Sequence, residues 1–239
     1  MTTSATYTFN PSLGELTLYS YNLCGLRNTS LLQEHMEAAR MSTNLMLARW
    51  SNQGVNLWAV DLITVPLVQG QKTYTVDANT VMILDAYMEI TNTSAQPIDR
   101  IIMPISRSEW ASYPNKDQQG FTTVYWFDRL ISADRSTGST GPTITLWPVP
   151  DGVSAQSLKY YRVRQIQDAD MSNGQTVEIP YLWLEAFAYG LAARLAVIWA
   201  PEKAMVLKAM ADESYQIAAD QNVESAQQYI SPQISGYFQ

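Results

Sequence analysis

The period of the hydrophobic pattern changes twice along the chain. Leu32, Met36, Ala39, Thr43, Met46 and Trp50 recur at alternating steps of four and three. That spacing predicts one face of an α-helix. Ser30-Leu-Leu-Gln33 matches a capping box at its start, and Gln53-Gly54 stops it. Glu34, Glu37 and Arg49 fall on the opposite face. From Val60 to about Arg164 the period is two, and predicts strands over 62–68, 73–76, 81–91, 99–105, 124–127, 143–147 and 157–164. Gln69-Gly70-Gln71 reads as a turn making the first two a pair, and Ser106-Arg-Ser-Glu109 opens a short helical turn that ends before Pro114.

From Ile179 to Asn222 the helical period returns in two segments broken at Pro201. Pro180 and Pro201 each fall where a first helical turn has no N–H partner to lose. The first segment is apolar almost all round, with only Glu185 and Arg194 charged. Such a helix belongs in a core, a subunit interface or a membrane. Its length just spans a bilayer, but the two charges with Tyr181, Tyr189 and Gly190 fit packed protein better, so no membrane insertion is expected.

These patterns predict an α+β fold. Residues 29–59 and 179–222 make a helical bundle, with Leu32, Met36, Met46, Trp50, Trp183, Phe187, Leu191 and Leu195 packing its core and subunit contacts. Residues 60–178 form an inserted antiparallel β-sandwich or barrel-like domain. Residues 1–28 read as an extended arm, in which 16–23 allow a short helix or strand. Residues 223–239 hold Tyr229, Ile230, Ile234, Tyr237 and Phe238 in a segment too short for a core of its own. Exposed aromatics in such a tail favour docking on a partner.

Composition narrows the function. An apolar content of 46% supplies a real core, and a formal charge of −7 argues against gripping nucleic acid through its phosphates. Charged residues are only 15%, which suits polar faces packed on other subunits. The single cysteine, Cys24, allows no internal disulfide and suits a reducing cytoplasm. No basic-then-apolar leader opens the chain, so secretion is not expected and the Asn28 and Asn92 glycosylation matches carry no weight.

Candidate chemistry is sparse. His35 is the only histidine, and reads as an ordinary helix-face residue rather than a nucleophile partner for Cys24. One His and one Cys do not make a metal site. Ser136 to Gly141 lacks the lysine and helix of a phosphate loop. The carboxylate pairs Glu34/Glu37 and Asp212/Glu213 read as solvated helix surface. Lys159, Arg162 and Arg164 form the only basic cluster, and the seven tryptophans look spread out as core or interface anchors. No enzyme and no cofactor is expected.

Three stretches, taken together, resemble the head-to-tail adaptor (portal adaptor, or tail accessory factor) proteins of bacteriophages. They are Ala39-x4-Asn44-x5-Trp50-x3-Gly54-x3-Trp58; Gly70-Gln71-x2-Tyr74-x-Val76 with Leu146-Trp-Pro-Val-Pro-Asp151 and Tyr160-Tyr161; and Ile179-Pro180 leading into Glu185-Ala-Phe-Ala-Tyr-Gly-Leu-Ala-Ala-Arg194-Leu-Ala. The resemblance implies a virion protein, assembled in the host cytoplasm into a homo-oligomeric ring, usually of twelve copies. It implies binding beneath the portal protein after packaging, with the C-terminal tail reaching onto the portal. The ring would retain double-stranded DNA without binding it specifically and present a platform for the tail tube or nozzle protein. The large insertion and long N-terminal arm depart from shorter members. The rival readings are another tail, neck or minor capsid component, or a virion-associated wall hydrolase.

Overall fold

The computed structural model describes residues 5–54, 57–91, 96–129, 141–170 and 174–222. The chain is mixed α+β and divides into two compact units, Met1–Met46 with Ala169–Gln239, and Leu47–Asp168. The first division falls within one helix, α2.

The helical unit holds α1 (Leu13–Cys24), most of α2 (Gln33–Asn52), α4 (Leu184–Trp199) and α5 (Ala204–Asp220). Residues 13–24 are helical, where the sequence reads as an extended arm that allows a short helix or strand over 16–23. Ser12 and Glu15 close a full capping box at the helix start, and Gly25 ends it at φ 88°. The face that α1 buries explains the difference. It sets Thr17 and Ser20 among Leu13, Leu16, Tyr21 and Cys24, so two of its six buried residues are polar. Ser20 Oγ donates to the Leu16 carbonyl at 2.8 Å and to the Ala188 carbonyl of α4 at 3.0 Å, which satisfies the buried hydroxyl.

The Ser30 capping box does not form. Residues Asn28–Ser30 are a 3-10 turn, Ser30 Oγ donates to the Arg27 carbonyl at 2.7 Å, and α2 begins at Gln33. On α4, Phe187, Leu191 and Leu195 are fully buried, and the helix packs on both α1 and α5. Pro201 opens a 3-10 turn, Pro201–Lys203, ahead of α5.

The second unit is built on one seven-stranded sheet: β1 (Val60–Pro66), β2 (Thr73–Thr75), β3 (Thr80–Thr91), β4 (Pro97–Pro104), β5 (Val124–Asp128), β6 (Thr143–Trp147) and β7 (Ala155–Arg164). Its order is β1-β7-β3-β4-β5-β6-β2. Two expectations change here. The sheet is mixed rather than antiparallel, because β4 and β5 pair in parallel at Met103–Val124 and Pro104–Tyr125. A parallel pair needs a crossover, and residues 105–123 supply it with α3 (Arg107–Ser112), capped by Ser106. Second, β1 and β2 do not pair with each other; β1 pairs with β7 and β2 with β6.

Those two strands lie at opposite edges of the sheet, yet only residues 67–72 join them. Laid flat, six spacings of about 4.8 Å would put them about 29 Å apart. Seven Cα steps reach at most about 25 Å. The sheet therefore curls into a half-barrel, and both phenol–backbone bonds of Tyr74 to Val68 (2.9 Å and 3.3 Å) hold the joined edges. Two register shifts in β3, around Val81 and Leu84-Asp85, accommodate the bend. The inner face packs Tyr74, Met88, Ile102, Tyr125, Leu146 and Leu158, one from each of six strands, so the sheet makes its core against itself.

Candidate functional site

Most chemically suggestive groups are committed to internal partners. Lys159 pairs with Glu89. Arg162 meets Asp77 at 3.1 Å and Asp61 at 3.6 Å and donates to Thr80 Oγ1 at 3.0 Å. Arg164 takes the same Asp61 at 3.1 Å. The one basic cluster legible in the sequence is thus a set of ion pairs tying β7 to β1, β3 and the β2–β3 turn rather than a phosphate-binding face. Asp77 is held below the usual carboxylate range chiefly by the Asn79 backbone N–H; burial opposes this, and Arg162 reinforces it. Cys24 Sγ donates to the Ala192 carbonyl at 3.4 Å, and burial raises its thiol pKa, with Lys203 acting against that and Glu202 with it. That is the opposite of an activated nucleophile. Among the described residues no cluster of three or more His, Cys, Asp or Glu side chains is arranged to hold a metal.

The surface tells more. On α5, Leu207, Ser214 and Ala218 turn inward, whereas Val206, Met210 and Ile217 lie exposed along a stripe about 80° away. Val197 and Ile198 at the end of α4, and Met41 and Leu45 on α2, are also exposed. A helix that packs one face and leaves a second apolar face open is suited to a further partner. On the half-barrel, the outer faces of four neighbouring strands carry Ile101, Tyr87, Tyr161 and Leu62. Ile101 stands opposite Tyr87 and Leu62 opposite Tyr161 in register, and the two tyrosine rings are 6.5 Å apart. Ile101 is 76% exposed.

A third cluster escaped the sequence. Trp110 and Tyr113 of the α3 segment lie on Trp126 of β5 and Trp147 of β6, with Trp110 stacked 6.2 Å from Trp126 and Tyr113 stacked 4.2 Å from Trp147. Trp147 Nε1 donates to the Asn115 carbonyl at 3.0 Å, and Lys116 Nζ sits 5.7 Å from the Trp110 ring centre. Three tryptophans that look dispersed in sequence thus fix the crossover helix to the sheet. Only the β4–α3–β5 topology brings them together, and no local signal carries it.

Met46, Trp50, Trp183, Phe187, Leu191 and Leu195 are buried, and Trp183 meets Tyr215 edge-on at 5.6 Å. Met36 is half-buried. Leu32 is 62% exposed, because it precedes the first turn of α2 rather than lying on its stripe. Tyr229, Ile230, Ile234, Tyr237 and Phe238 lie outside the described residues. Among the described helical segments, Tyr181–Trp199 is long and apolar enough to cross a membrane, but its core positions are filled by packing against α1 and α5.

Paired charges and separate open apolar surfaces mark a protein that assembles with others. The comparisons agree with that class. The family model described as SU10 adaptor protein matches residues 29–234. The chain belongs to this family of phage head-to-tail adaptors. It is accordingly a phage structural adaptor and a virion component, associated with other virion proteins. No curated protein matches the chain.

Proposed function

We propose that the chain forms a ring beneath the portal of the filled head, retains the packaged DNA and presents a platform for the tail. The observation that carries this reading is the pair of separate apolar surfaces, the α5 stripe and the outer band of the half-barrel, in a member of the adaptor family. A ring is a heterologous assembly in which each subunit offers two different faces. Twelve copies is the expected stoichiometry. The acidic charge of −7 keeps phosphates from sticking to a conduit that DNA must leave. Residues 223–239, with Tyr229, Ile230, Ile234, Tyr237 and Phe238, dock on the portal in this reading, and the opposite side of the ring receives the tail tube or nozzle protein.

The test is co-sedimentation of the full chain, and of a chain ending at Asn222, with the portal protein encoded in the same genome. The full chain should travel with the portal and the shortened chain should not. Equal binding by both would remove the docking role of the tail. Binding by neither, together with capture by a tail protein, would make the chain a tail or neck component.

A further inference from the structure

His35, the chain's only histidine, is 6% exposed at the third position of α2. Its Nδ1 accepts the Leu32 N–H at 3.1 Å, while the Leu32 carbonyl accepts the His35 N–H at 3.1 Å. This is one half of a capping box, with an imidazole where glutamate or glutamine ordinarily reaches back; the other half is replaced by a backbone turn bond, since Leu32 has no side-chain acceptor. The ring lies flat on Trp199 at the end of α4, with centroids 4.0 Å and planes 18° apart. Tyr21 of α1 meets it edge-on at 5.7 Å, and the Tyr21 hydroxyl donates to the His35 carbonyl. Three helices meet on one side chain.

The bond to Leu32 requires a neutral ring. An imidazole that accepts at Nδ1 carries its proton on Nε2, whereas both nitrogens of an imidazolium are donors. Protonation sets one N–H against another, and turning the ring over does not relieve it. Stacking on Trp199 does not replace the lost acceptor for the Leu32 N–H. The titratable groups around the junction are Tyr21 and, one turn on, Cys24 from α1. Before α5 stand Glu202 and Lys203, whose opposite charges act on Cys24. On α2 itself Glu34 and Glu37 are both exposed.

We propose that His35 is a protonation-controlled latch on the helical unit: neutral, it caps α2 and closes the Tyr21–His35–Trp199 stack; charged, it releases the first turn of α2. Because no second histidine exists, the imidazole Hε1 signal identifies this residue without ambiguity. The full chain is titrated by NMR from pH 8 to pH 5, following that signal and the Leu32 amide. Urea midpoints are taken at each pH for the wild type and for His35→Gln, which keeps a cap acceptor but has no proton to gain. The Leu32 amide should move with the same midpoint as the imidazole, and the wild-type urea midpoint should fall toward pH 5 while that of His35→Gln holds. A stationary Leu32 amide beside a titrating imidazole, or equal falls in both proteins, would overturn the proposal. Should His35→Gln fail to fold, the Leu32 amide decides alone.

Discussion

Replacing Tyr21 with phenylalanine separates two effects that the helical unit combines in one hydroxyl. The Tyr21 side chain is fully buried and donates to the His35 carbonyl. Its pKa is pushed up to about 12, mainly by burial, with the Cys24 thiol adding and the Trp199 indole opposing. Below pH 9 the variant simply loses a buried hydrogen bond and leaves a carbonyl without that donor, a loss of about 1–2 kcal/mol. At high pH the sign reverses. The unfolded phenol ionises near pH 10 and the folded one near 12, so the unfolded state holds fewer protons between these values and wild-type stability falls as pH rises. That loss is about 1 kcal/mol by pH 11, and approaches about 3 kcal/mol once both states are ionised. The gap between wild type and Tyr21→Phe should therefore shrink from pH 8 and close near pH 11. Other buried tyrosines with raised pKa values, Tyr74, Tyr125 and Tyr160, titrate alike in both proteins and cancel in the difference. Urea unfolding followed by circular dichroism at pH 8, 10 and 11 measures it. A gap that stays constant, or widens with pH, would refute the assignment of a neutral buried donor.

Other expectations follow from single contacts. Leu191→Ala, at a fully buried position between α1 and α5, should lower unfolding stability by about 2–5 kcal/mol in denaturant melts. Gly25→Ala should lower the melting temperature, since φ is 88° there and a new Cβ would lie 2.4 Å from Lys203 Nζ; the flexible lysine tip can withdraw, so backbone strain of about 1–2 kcal/mol sets the size. Asp77→Asn should flatten acid sensitivity. The depressed carboxyl contributes stability present above the unfolded value near 4 and lost as pH falls through the folded one, so wild type should lose more than the variant between pH 5 and pH 3. Val206→Glu, on the exposed α5 stripe, should leave monomer stability within about 0.5 kcal/mol yet abolish ring formation, read by sedimentation.

The α2 stripe was legible because Ala39, Met46 and Trp50, with Thr43 between them, recur at helical spacing on one buried face. The strands were legible because alternation is a local property, and every predicted strand lies on an observed one. Over 16–23 the sequence left helix and strand undecided, because Thr17 and Ser20 interrupt the inward face of what is α1. The available signal was Ser12-Leu-Gly-Glu15, a capping box that does close, whereas the similar Ser30-Leu-Leu-Gln33 does not. Strand partners were illegible for a different reason. The turn at Gly70, with φ 76°, is real, but it turns a corner of the half-barrel instead of folding a hairpin. Likewise Arg162 and Arg164 looked available until Asp61 and Asp77 arrived from other segments to neutralise them. Where the functional reading rests on surface, the sequence supplied apolar residues but not their exposure: Leu207 is buried while Val206 and Met210 beside it are open.

Assembly on a portal shows itself in mass. Native mass spectrometry of the purified chain, alone and with the portal protein of the same genome, should give a closed ring of many copies once portal is present. That complex should be absent from a parallel mixture made with Val206→Glu. A 26.8 kDa species that stays monomeric and ignores the portal would rule out assembly on it.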